Sequence, residues 1–166
     1  MAKSKVTKLK DKAQKLFNEY IRERDRNPDG TWTCIACGNT VDKINAGHYF
    51  GTRRYDWLRY NPDNVHGECT KCNSFNHEHL IWYGLNLRIK LGDVKYWELI
   101  SKAKERPKKL TALQEERELY KIIYRYETFK KTRSFPTQDD STNTIANFDP
   151  DVHASCNFMD TLYYYR

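Results

Sequence analysis

The sequence has no uninterrupted apolar run approaching the roughly 18 to 20 residues that a membrane-spanning helix needs, and its Lys-rich start lacks the apolar stretch of a secretory signal. A soluble, cytoplasmic protein is therefore expected. Acidic residues are also in short supply. The 22 Asp and Glu stand against 29 Lys and Arg, giving a formal charge of +7, which argues against a neutral metabolite as partner and for a polyanion. The imbalance is local, because residues 1 to 133 carry +11 and residues 134 to 166 carry −4. Hydrophobic residues reach only 39% of 166, a thin core for one domain, so something besides apolar burial is expected to help hold it. No internal repeat is present. Cysteine is sparse, but four of the five fall into two C-x-x-C pairs, Cys34 with Cys37 and Cys69 with Cys72, leaving Cys156 over. In a reducing compartment that pattern argues for a metal before disulfides.

Apolar residues at Val6, Leu9, Ala13, Leu16, Phe17, Tyr20 and Ile21 have helical spacing and predict an amphipathic helix over residues 5 to 26. Asn27-Pro28-Asp29-Gly30 ends it in a turn, and Thr31 to Ile35 alternates like a short strand carrying the first cysteine pair. From Val41 to Tyr60 a strand, a basic loop and a second strand are expected. Leu80, Tyr83, Leu87 and Leu91 predict a helix, Gly92-Asp93 interrupts it, and Val94, Trp97 and Ile100 resume it as another. After Pro107, Thr111-x-x-Gln114 is a capping-box signature for a last helix running to about Lys131. The residues from Ser134 onward predict an acidic, irregular tail. The expected class is α+β: one domain over 1–133, with a metal-stapled core at 31–80 and helices over 81–133.

Two cysteines spaced two apart bite one ion from a tight turn, and a second pair closes a tetrahedral thiolate site, for which Zn2+ is the expected ion. Four thiolates leave no position for water or substrate, so this zinc is structural. A redox dithiol would leave the second pair without a role. The 31 residues between Cys37 and Cys69 are too many for a compact zinc ribbon, and the insertion becomes the candidate for function.

Within and just beyond it stand His48, Arg53, Arg54, Arg59, Asn64, His66, Asn73 and His77. Each alone has a plain structural explanation, a half-buried histidine or a turn-forming asparagine. In order, a histidine on a strand (His48), an asparagine in the following loop (Asn64) and a metal-ligating position nine residues on (Asn73) describe an HNH-type ββα-metal finger. His77, at i+4 from Asn73, shares its face if a helix begins near Cys72. Asn64 precedes Cys69 by five residues, as in many zinc-containing HNH nucleases.

The stretches Ile44-Asn45-Ala46-Gly47-His48-Tyr49, Leu58 to His66 and Cys69-x-x-Cys72-Asn73 resemble the phage NinG/Rap family of recombination endonucleases, and the similarity runs to about residue 131. The resemblance implies a metal-dependent nuclease of phage recombination cutting branched DNA such as Holliday junctions and D-loops, in the host cytoplasm. It implies His48 as general base, Asn64 as brace of the catalytic loop, and Asn73 with His77 as ligands of a catalytic Mg2+ or Mn2+. Arg53, Arg54 and Arg59 suit phosphate contact. Gly47 stands where many HNH proteins carry an Asp or His ligand, and Asn73 where many carry His. The cation is thus short of protein ligands, and His66, water or phosphate oxygens are candidates to complete its shell. Lys3, Lys5, Lys8, Lys10, Lys12 and Lys15 could add backbone affinity, and Tyr55, Trp57 and Tyr60 could stack on unpaired bases. Resolving a junction needs two coordinated cuts, so a homodimer is expected, with phage or host recombination proteins as further partners. The rival readings are a non-catalytic zinc-dependent DNA-binding protein and an HNH endonuclease cutting duplex DNA.

Overall fold

The computed structural model describes residues 3–75 and 78–136. Their class is α+β, with four helices and two small antiparallel sheets. Among these residues no helix is long and apolar enough to cross a membrane. The chain clusters into two compact units, Met1–Ala13 with Ala112–Arg166 and, separately, Gln14–Thr111.

The first helix, α1 (Lys5–Arg24), forms where predicted and buries Ala13, Phe17 and Ile21 completely, a stripe at i, i+4 and i+8. Trp32–Thr33 (β1) pairs with Thr40–Val41 (β2), and Asn45–His48 (β3) pairs with Val65–Glu68 (β4). Then follow α2 (Thr70–Phe75), α3 (His79–Lys104) and α4 (Ala112–Thr132). In α3 the predicted interruption is a kink at Gly92, whose φ of 76° and ψ of 163° lie outside the helix region and suit glycine. The last helix begins one residue after Thr111, and Arg133 follows it at φ 58°, its N–H returning to Phe129 O at 2.8 Å.

The second strand of the main hairpin was misplaced by sequence reading. It lies at 65–68, not before Tyr60, because residues 49 to 64 form a loop with tight 3-10 turns at Asp56–Leu58 and Pro62–Asn64. All four residues of β4 are buried, including His66 and Glu68, so neither alternation nor hydrophobicity betrays the strand. Its register pairs Asn45 with Glu68, Ala46 with Gly67, Gly47 with His66 and His48 with Val65. The period of two therefore places Asn45, Gly47, His66 and Glu68 on one face, and Ala46, His48, Val65 and Gly67 on the other.

The first face meets α3, whose buried Tyr83 donates to Gly47 O at 2.9 Å. The second faces the end of α1, where the Asp25 carboxylate accepts the Gly67 N–H at 2.8 Å. The unit's core joins Cys34, Cys69 and Cys72 with Ile44, Leu58, Tyr83, Leu87, Leu99 and Ala103. The opposite side of α3 leaves Ile81, Trp82, Leu85 and Ile89 exposed. In the other unit, α4 buries Leu119, Ile122, Ile123 and Tyr126, and Lys5, Lys10 and Lys12 pair with Glu116, Glu115 and Glu127. Those lysines, with Lys3 on Asp11, are engaged in ion pairs within the protein.

Candidate active site and metal centre

The two cysteine pairs, 31 residues apart in sequence, converge so that all four sulfurs lie within 4.8 Å of one another. A tetrahedral thiolate site with metal–sulfur bonds of about 2.3 Å sets its sulfurs about 3.8 Å apart. Cys37 and Cys69 are at 3.9 Å. The first knuckle turns at Gly38 (φ 73°), whose N–H returns to Cys34 O, and the Cys69 N–H points at the Cys34 sulfur at 3.3 Å. Asn86 from α3 donates to Ile35 O at 2.8 Å and pins that knuckle. Burial pushes the Cys34 and Cys72 thiols above the ordinary cysteine range. Four cysteines this close can hold a metal ion such as zinc.

His48 ends β3, and its Nε2 lies 2.9 Å from Arg59 O. A carbonyl only accepts, so Nε2 carries the proton and donates it, and the lone pair is left on Nδ1. Burial lowers the His48 pKa below the ordinary value, the Arg59 carbonyl pulling the other way, so the ring is neutral at pH 7. The carbonyl is presented by the loop over 49–64, and Asn64 holds that loop. Fully buried, its Oδ1 accepts the Phe50 N–H at 2.8 Å, and its Nδ2 donates to Phe50 O and Leu58 O at 3.1 Å each. Its own carbonyl accepts the Tyr49 N–H at 2.9 Å, one step beyond the β3–β4 ladder. His48 and Asn64 are thus brought into one local assembly across the loop.

The other predicted residues fare unequally. Asn73 sits on α2 with its side chain in solvent, and its N–H bonds Cys69 O at 2.9 Å. His77, Cys156 and the tail beyond residue 136 lie outside the described residues. His66 as a cation ligand is corrected. Only 2% exposed, its Nε2 donates to Asp63 O at 3.2 Å and its Nδ1 accepts from Arg24 Nη2 at 2.8 Å, so neither nitrogen is left to bind an ion. Burial, with Arg24 and Lys90 nearby, lowers its pKa to about 3. Arg53 and Arg54 are exposed and have no carboxylate partner among the described residues, with Arg54 lying over the Tyr55 ring. Arg59 is held by Asp56 at 2.7 Å and by Gln14 at 3.3 Å. Of the aromatic residues considered for base stacking, Tyr60 is buried edge-on to Phe17, and Trp57 donates its Nε1–H to Lys102 O at 2.9 Å.

Sequence reasoning missed two buried charge networks. Arg24, at the end of α1, donates to Pro62 O and Val65 O at 2.8 Å and to both Asp25 oxygens at 2.9 Å, tying β4 to the helix. Burial alone would raise the Asp25 carboxyl, but Arg24 and Lys90 hold it well below the usual range. On the other face Glu68 is fully buried, with Oε1 bonded to His79 Nδ1 and Oε2 without a partner in the described structure. Burial raises the Glu68 pKa, with His79 acting against it. Gly47 is what makes room, since a Cβ there would lie 2.3 Å from Glu68 Oε2. The only sequence cue to this pair is that Glu68 precedes Cys69, the first cysteine of the second C-x-x-C pair. Glu68 Oε2 is thus an orphaned buried oxygen, the kind of donor that a hard divalent cation takes.

Comparison with known proteins matches residues 1–131 to a family described as Bacteriophage Lambda NinG protein. Protein ninG of Escherichia phage lambda is 38% identical over 81 residues, and Protein ninG of Salmonella phage P22 and of Escherichia phage 933W are each 37% identical over 81 residues. Each match covers 48% of this chain and 38% of the relative, so the chain spans well under half the length of the curated relatives it matches. No solved structure matches.

Proposed function

The chain belongs to the bacteriophage lambda NinG protein family, and on that premise we propose that it is a metal-dependent endonuclease of phage recombination that hydrolyses phosphodiester bonds in branched DNA such as Holliday junctions and D-loops. The observation that carries the reading is the state of His48: Nε2–H committed to Arg59 O, Nδ1 unprotonated, the ring neutral at pH 7. That is a general base held in one tautomer. The strand, strand, helix order of β3, β4 and α2 is read as an HNH-type ββα-metal finger stapled by a Cys34, Cys37, Cys69, Cys72 zinc.

In this reading His48 Nδ1 takes the proton from a water in line with the scissile P–O bond, and the resulting imidazolium stays hydrogen-bonded through Nε2 to Arg59 O. Asn64 keeps that carbonyl in place by locking Phe50 and Leu58, so the ring does not swing out of line. Arg53 and Arg54, free of carboxylate partners among the described residues, grip flanking phosphates, and the +11 charge of residues 1 to 133 draws the DNA in. Asn73 and His77 are proposed as holders of a Mg2+ or Mn2+ ion. When bound, the cation supplies positive charge to the phosphate oxygens on which charge develops.

The test is His48→Ala on branched DNA. A nuclease of this kind loses cleavage by a factor of about 10² or more, as removal of a general base does, while zinc content and DNA affinity stay at wild-type levels. Wild-type protein that binds DNA but cuts none of the substrates with either metal would leave a zinc-dependent DNA-binding module instead.

A further inference from the structure

We propose that Glu68 is a ligand of the divalent cation through Oε2, with His79 as the positioning residue that holds Oε1. The inference rests on the nuclease reading only for the purpose the ion serves. The site itself rests on geometry. Glu68 has no exposed surface, yet only one of its two oxygens is bonded, and the other has no partner in the described structure. A carboxylate buried purely to pair with a histidine would be expected to satisfy both oxygens, because a desolvated oxygen left unpaired is costly. A half-satisfied carboxylate is what remains when a cation's place is counted as empty space. A histidine hydrogen-bonded to the opposite oxygen is the usual outer support of a ligating carboxylate.

The position agrees with the rest of the assembly. Glu68 lies diagonally across the hairpin from Gly47, and Oε2 would sit 2.3 Å from a Cβ on residue 47. The carboxylate therefore occupies the space that any other residue at 47 would fill, one strand position before His48. Glycine at 47 removes a side chain from β3 and admits one from β4 in its stead. Glu68 shares the Gly47 face of the hairpin and His48 lies on the other, so a cation on Oε2 takes the place of a ligand from residue 47, across the strand from the base. Aspartate or histidine at 47 is then unnecessary, and so is the already engaged His66. A site built on one buried carboxylate oxygen suits Mg2+ or Mn2+ better than Ca2+, which takes six to eight oxygens.

The experiment is a Mn2+ titration of the full, zinc-loaded chain without DNA, following free Mn2+ by electron paramagnetic resonance. Wild type is expected to bind one Mn2+ per chain beyond its zinc. Glu68→Gln, nearly isosteric, is expected to weaken that binding by a factor of ten or more, and His79→Ala by tenfold or more. His48→Ala keeps wild-type Mn2+ affinity. Equal Mn2+ affinity in wild type and zinc-loaded Glu68→Gln overturns the proposal, as does the absence of any Mn2+ site in wild type. Should Glu68→Gln fail to retain zinc, the His79 ring signals of wild type decide by NMR: selective broadening by substoichiometric Mn2+ supports the site, and none overturns it. Wild type that cuts branched DNA while Glu68→Gln keeps its Mn2+ would sink this assignment and leave the nuclease. Glu68-dependent Mn2+ binding in a protein that cuts nothing would sink the nuclease and leave the site.

Discussion

Replacing Asn64 with alanine removes three side-chain hydrogen bonds at one buried position: those to Phe50 N, Phe50 O and Leu58 O. Each is worth about 0.5 to 1.5 kcal/mol net, so their loss amounts to about 3 kcal/mol. Asn64 has no exposure and Leu58 only 2%, so the Leu58 carbonyl left behind has little access to water, and the total rises toward about 5 kcal/mol. Asn64→Asp should be worse than its shape suggests, because it sets an acceptor against two carbonyls that need a donor. The assay is urea unfolding of zinc-loaded protein followed by tryptophan fluorescence, since Trp57 lies in the same loop and is bonded to Lys102 O. Near the midpoint, a loss of this size in a domain of about 100 residues lowers the melting temperature by more than 10 °C. Cleavage should fall as well, because the loop no longer presents Arg59 O to His48. An Asn64→Ala protein destabilised by under 1 kcal/mol would refute the claim that this side chain holds the loop.

The pKa of His66 is depressed in the folded state to about 3, below the usual value of about 6.5, so the unfolded chain binds the extra proton. Its contribution is fully present above pH 6.5 and is lost as pH falls from 6.5 toward 3, about 5 kcal/mol in all, and His66→Gln should flatten that limb in urea titrations at stepped pH. The His48 pKa is lowered too, so the acid limb of cleavage rate against pH should have its midpoint below 6.5, and a midpoint above 7 would contradict the neutral-base geometry. Gly47→Ala sets a Cβ 2.3 Å from Glu68 Oε2 and 2.8 Å from Glu68 Cβ, and should cost about 1 to 3 kcal/mol or more in thermal melts. Metal analysis should find one zinc per chain, and Cys37→Ser, the most exposed of the four ligands, should lower zinc affinity with loss of cooperative unfolding; full metal retention would count against the four-sulfur site.

Features written in local spacing were legible in the sequence. The stripe of α1, the kink at Gly92, the start of α4 after Thr111 and the two cysteine pairs all follow from patterns within about twenty residues. The strand β4 was not legible, because Val-His-Gly-Glu is polar and yet buried throughout. Its polar atoms bond to Arg24 and Asp25, some forty residues earlier, and, at Glu68 Oε1, to His79, eleven residues later. No periodicity records such pairings. The same reason explains Glu68 and His66: one was overlooked, and the other stood as one of several candidates to complete the cation's shell, while its two nitrogens serve the fold. Tyr60 and Trp57 show the opposite trap, since aromatic residues in a basic loop suggest base stacking, while here they anchor the loop to α1 and α3.

The central claim is a neutral His48 acting as base in a metal-dependent cut, and the most direct measurement is cleavage of four-way junction, flap and linear duplex DNA by wild type and His48→Ala with Mg2+, Mn2+ or EDTA. The account predicts that zinc-loaded wild type cuts the branched substrates with Mg2+ or Mn2+ and not with EDTA, and that His48→Ala binds the same DNA without cutting it. Metal-dependent cutting that survives His48→Ala, or no cutting of any substrate by wild type, would contradict it.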